Sequence, residues 1–107
     1  MERTLFLAQR ISAIILGPLV LVHLGLILFA VRNGLSGAEI LSRTQGSISW
    51  SVFYGLFVLS ITVHAPIGLR NILQEWTRIS QRTINIIALL FALIFLALGL
   101  RAVVAIV

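Results

Sequence analysis

The sequence predicts an all-α integral membrane protein with three membrane-spanning helices. Three observations lead there. Of 107 residues, 60% are hydrophobic and only 10% are charged, which leaves too little polar surface for a soluble domain of this length. The apolar residues gather into three stretches, Ile11–Val31, Ile48–Arg70 and Ile84–Val107, each long enough to cross a hydrocarbon core of about 30 Å, which takes roughly 20 helical residues. The arginines fall mostly at the ends of those stretches, where cations anchor to the interface. Together the stretches fill residues 1–107 as one membrane domain.

The first span is expected to be a helix preceded by a short amphipathic lead-in, in which Leu5, Phe6 and Leu7 lie between Arg3 and Arg10. It is too long for a secretory leader and has no small-residue cleavage site after it. Gly17-Pro18 should loosen it just before His23. Residues 32–45, with Gly34 and Gly37, read as a polar loop in which Glu39 stands alone. The second span opens with Gly46-Ser47 and Trp50. It carries Ser49, Ser51, Tyr54, Gly55, Ser60, Thr62 and His64, a content typical of helices buried among other helices. Glu75 and Arg78 are expected to pair at the rim, and Ser80–Thr83 to turn into the third span. That span, from Ile84, is nearly featureless before Arg101 and is expected to face lipid.

The charge of +5 arises from eight arginines, with no lysine. Arg3, Arg10, Arg70, Arg78 and Arg82 fall on one side of the membrane, and Arg32, Arg43 and Arg101 on the other. The positive-inside rule then puts the N-terminus in the cytoplasm, or the equivalent matrix. The basic rim suits lipid headgroups or an acidic docking surface and not nucleic acid. Without cysteine, the chain can hold no disulfide, iron–sulfur cluster or thiolate zinc site.

Both histidines lie within predicted spans. An ionisable group there is costly and marks function by default. A neutral imidazole can ligate haem iron inside a bundle, or can simply hydrogen-bond a neighbouring helix. Around His64, Pro66 frees the Thr62 carbonyl, Gly68 leaves room on the same face, and Arg70 lies about 9 Å further along the axis, within reach of a haem propionate. At 1.5 Å per residue, His23 sits about 18 Å from the inner end of its helix and His64 about 9 Å. The two are therefore at unequal depths, which disfavours one haem held between them. No nucleophile–base pair, phosphate loop or carboxylate pair is present, so bond-making chemistry is not expected of this chain alone.

The run His64-Ala65-Pro66-Ile67-Gly68-Leu69-Arg70-Asn71-Ile72-Leu73-Gln74-Glu75 resembles the second-helix signature H-x-x-x-G-[IL]-R-H-x-x-x-[DE] of the cytochrome b membrane subunit of succinate dehydrogenase and fumarate reductase. Gln9-Arg10-Ile11-Ser12-Ala13 resembles that family's first-helix motif H-R-x-S-G, and Gly46-Ser47 its helix-opening pair. The chain departs at Asn71 and Gln9, where the motifs have histidine, at Ala13, where they have glycine, and at Phe6, where they have serine. The resemblance implies half of a heterodimeric helix bundle, completed by a second small anchor subunit, with an iron–sulfur subunit and a flavoprotein subunit attached. It implies haem b ligated by His64 as the inner haem, with Arg70 and Asn71 near its propionates. It also implies a ubiquinone or menaquinone site near Arg10 and Ser12, and a bacterial plasma membrane or mitochondrial inner membrane. Di-haem relatives stack two haems across the membrane, so His23 is the candidate ligand of an outer haem and Arg101 a candidate for its propionates. A b-type cytochrome subunit of another respiratory complex, or a small transporter or holin-like protein without haem, would share the histidines but not the Gly68-Leu69-Arg70 extension.

Overall fold

The computed structural model describes residues 2–107, with side chains from Arg3 onward. Helix α1 spans Glu2–Arg32, α2 Gly37–Thr44, α3 Ile48–Trp76 and α4 Gln81–Ile106. Three of them, α1, α3 and α4, are long and apolar enough to cross a membrane. The molecule is a rod of 48 × 23 × 22 Å, whose long dimension comfortably exceeds a hydrocarbon core of about 30 Å.

Helix α1 is longer than the hydropathy implies, because the amphipathic lead-in is continuous with the span. It also runs through Pro18, as α3 runs through Pro66. Membrane helices accept proline when neighbouring groups serve the backbone it disturbs. The first span ends in a Schellman turn: Leu35 N–H donates to the Ala30 carbonyl and Gly34 N–H to Val31. Gly34 takes φ +61° there, which an L side chain rarely adopts.

The polar loop holds a helix that its composition did not reveal. Ser36 caps α2 by accepting from Glu39 N–H, and the Glu39 carboxylate accepts from Ser36 N–H at 3.3 Å. This reciprocal pair serves two backbone donors left over at a helix start, so Glu39 is a capping residue and does not stand alone. A second positive-φ glycine, Gly46 at +73°, turns the chain into α3, which Ser47 caps.

The segment Thr77–Ser80 is extended and Ser80 caps α4. Arg78 therefore lies beyond the end of α3, and the helical spacing expected to pair it with Glu75 is not formed. Helix α3 is central, packed against α1 on one side and α4 on the other. The α3–α4 contact runs from Gln74 beside Gln81, through Arg70 beside Asn85, to Val58 against Gly99. A Cβ on Gly99 would lie 2.6 Å from Val58 Cγ1, so glycine is what lets the two helices approach there. Little is enclosed: among the described residues the buried apolar side chains are Leu16, Pro66, Ile67, Ile84 and Ala88. At the α2 end the Thr44 hydroxyl donates to the Ile106 carbonyl at 2.6 Å and Gly46 N–H to the Val107 carbonyl at 3.2 Å. These bonds tie the end of α4 to the α2–α3 turn.

Candidate functional site

The half of the α1–α3 seam nearer the N-terminus is built on His64, Gly68 and Asn71. They lie four and three residues apart and so on one helical face. All three face Gln9 of α1. The His64 ring nitrogen Nδ1 is 3.3 Å from the Gln9 carbonyl oxygen and 3.4 Å from the Ser12 hydroxyl. Asn71 donates to Gln9 Oε1 at 3.1 Å, and the Gln9 amide nitrogen lies 3.6 Å from where a Cβ on Gly68 would be. The space beside Gly68, expected to accommodate a macrocycle, is thus faced by Gln9.

This geometry assigns the tautomer of His64. The Ser12 hydroxyl donates its only hydrogen to the Gln9 carbonyl at 2.9 Å, so it can only accept from the imidazole. Both neighbours of Nδ1 are therefore acceptors, the proton sits on Nδ1, and the Nε2 lone pair is left for a ligand role. A metal-ligating histidine usually shows this pattern, with the ring N–H remote from the metal fixed by a carbonyl.

Arg70 behaves differently from its place in the sequence motif. Six residues at 100° each turn it about 120° away from His64, toward α4. There its guanidinium is buried and donates through Nε to Asn85 Oδ1 at 2.9 Å. The same oxygen accepts from Gln81 at 2.9 Å. Asn85 was not anticipated, although a single asparagine in an apolar span is a readable signal. Arg10 is exposed, with its guanidinium 5.5 Å from the Phe6 ring centroid. Ser12 is buried at 5% exposure against His64, so these neighbours in sequence point to different surroundings.

In the other half of the seam, toward α2, His23 Nδ1 is 3.5 Å from the Tyr54 hydroxyl. The ring meets Tyr54 and Phe57 edge-on, with centroids 5.7 and 5.3 Å away. His23 and Tyr54 also line an apolar cavity of about 340 Å³ under α2, with Trp50, Phe29 and Arg43. Arg101, toward the outer end of α4, is exposed. On α1, Ser12 marks the level of His64, and eleven residues separate it from His23. That is about 16 Å at 1.5 Å per residue, wider than the gap of about 9 Å expected from helix boundaries. No group of three or more His, Cys, Asp or Glu side chains suited to a metal ion occurs among the described residues. Each histidine would thus be a single-residue ligand.

Fold and site define a multi-pass membrane protein that carries one oriented histidine at each of two depths. The chain belongs to the family of succinate dehydrogenase/fumarate reductase transmembrane subunits, which it matches over residues 2–104. No curated protein and no solved structure matches it significantly. Family membership makes it a membrane subunit of such a complex, associated with other subunits, and some members of the family bind haem.

Proposed function

We propose that the chain is a haem b-carrying anchor subunit of a succinate:quinone or fumarate:quinone oxidoreductase. The observation that supports this most is the pair of acceptors at His64 Nδ1, which turns the Nε2 lone pair outward from α1. His64 would hold the inner haem together with a residue of a second small anchor subunit. Haem b would supply a one-electron redox centre there, while electrons from the dicarboxylate would reach the quinone through the iron–sulfur subunit. This chain's own residues bind, orient and neutralise. Asn71, on the His64 face, is the propionate partner; Arg70, turned to Asn85 on α4, is not placed to share that role. Arg10 and Ser12 are the quinone-side residues, for ubiquinone or menaquinone.

The separation of about 16 Å along the helix axis is too large for both histidines to reach one iron. His23 is accordingly the ligand of a second, outer haem, and Arg101 the cation toward its propionates. The basic inner rim of Arg3, Arg10, Arg78 and Arg82 docks the iron–sulfur subunit, while dicarboxylate chemistry belongs to the flavoprotein subunit. The membrane is a bacterial plasma membrane or a mitochondrial inner membrane, with the N-terminus on the cytoplasmic or matrix side.

The test is a reduced-minus-oxidised spectrum of the complex purified in mild detergent, with haem quantified as pyridine haemochrome. Two b-type components per chain are expected. His64→Ala should remove one and His23→Ala the other. A spectrum without b-type peaks would favour a transporter-like role and sink the proposal. Loss of both components from the His23 variant would mean that the two sites are not separate.

A further inference from the structure

The two motif positions at which this chain lacks histidine, Gln9 and Asn71, are joined to each other. Asn71 Nδ2 donates to Gln9 Oε1 at 3.1 Å, while the carbonyl of the same Gln9 is an acceptor at His64 Nδ1. One residue of α1 thus receives α3 twice, through its side chain and through its backbone. The side-chain bond is shorter than the 3.4 and 3.5 Å contacts that His64 and His23 make across the seam. The Gln9 amide also lies beside Gly68, 3.6 Å from where a Cβ would be, which is an ordinary contact.

We propose that the Asn71–Gln9 pair is a positioning device: it fixes the register of α1 against α3 and so holds the Gln9 carbonyl and Ser12 hydroxyl at His64 Nδ1. A slip of α1 by one residue moves that carbonyl about 1.5 Å along the axis and about 100° around it, which removes it from the imidazole. The Nδ1–H then loses its acceptor, and the ring becomes a weaker electron donor. The consequence for a bound iron rests on the haem reading; the consequence for the ring does not. Asn71 keeps a second amide hydrogen, so the positioning role is compatible with a propionate contact.

The experiment compares Gln9→Leu, Asn71→Leu, the double variant and the swapped pair Gln9→Asn with Asn71→Gln, all in the assembled complex. Gln9→Leu keeps the backbone carbonyl and removes only the amide contact. Two quantities are read: the midpoint potential of the inner b component, and the ¹⁵N signal of His64 Nδ1 in reduced, histidine-labelled complex, identified by its loss in His64→Gln. Each single variant should shift the potential upward and move the His64 Nδ1 signal toward that of an N–H without an acceptor. The double should shift no further, because one bond is lost in all three, and the swap should recover part of both signals. Additive shifts, or an unchanged potential and Nδ1 signal in the single variants, overturn the proposal. If the wild type shows no b-type component, the haem reading fails, and the Nδ1 signal alone decides whether the pair positions His64.

Discussion

At the scale of residues, the site rests on a few hydrogen bonds in a setting with little water to replace them. Ser12→Ala removes one of the two acceptors at His64 Nδ1 and leaves the Gln9 carbonyl. The inner b component should persist with a smaller potential shift than the amide variants give, and unfolding should cost about 1 kcal/mol less. Redox titration and thermal denaturation of the purified complex check both. Tyr54→Phe removes the hydroxyl near His23 and should alter the outer component only; an effect on the inner one would break the assignment of two depths. His64 was legible in the sequence because an imidazole is rare in an apolar run and is followed by Gly68-Leu69-Arg70. The Gln9–Asn71 bond was not legible. Both residues stood out as departures from a motif, but their contact depends on the register of two helices 62 residues apart in sequence. Arg70 shows the opposite failure: rise along the axis put it near His64, while rotation about the axis sends it to Asn85.

At the scale of elements, hydropathy located the three spans and missed what joins them. The capping box Ser36–Glu39 was present as S-x-x-E, yet in a polar loop it had no long apolar run to announce it. Ser36→Ala should destabilise α2 by about 1 kcal/mol, seen as faster amide exchange over residues 37–44 without change at α3. The third span read as featureless because Ile84, Ala88 and Gly99 differ little from their neighbours in hydropathy. Their role is shape. Ile84 is 1% exposed, and Gly99 admits Val58. Gly99→Ala places a methyl where Val58 Cγ1 already lies 2.6 Å away, and should cost about 1–3 kcal/mol through overpacking. Val58→Ala should rescue it in a thermal melt; a Gly99→Ala variant as stable as the wild type would show that the seam can spread freely.

At the scale of the whole molecule, much of the large apolar surface stays exposed, from Ile14 and Leu21 on α1 to Leu98 and Val104 on α4. Surface of that extent belongs against lipid or other membrane subunits. The helix order places the α1 start and the α3–α4 turn at one end, and the α2 region at the other. Because the chain has no cysteine, Ile79→Cys and Ser42→Cys each provide a unique label site. A membrane-impermeant maleimide should reach the first from the cytoplasmic or matrix side only and the second from the opposite side; the reverse pattern would invert the orientation drawn from the arginines. The division of the inner site between helices also bears on biogenesis. His64 travels with α3, which Val58–Gly99 and Arg70–Asn85 fasten to α4, whereas the groups that set its protonation arrive with α1. A newly inserted α3–α4 hairpin therefore carries His64 without its Nδ1 partners, and docking of the first helix brings the Gln9 carbonyl and the Ser12 hydroxyl to it.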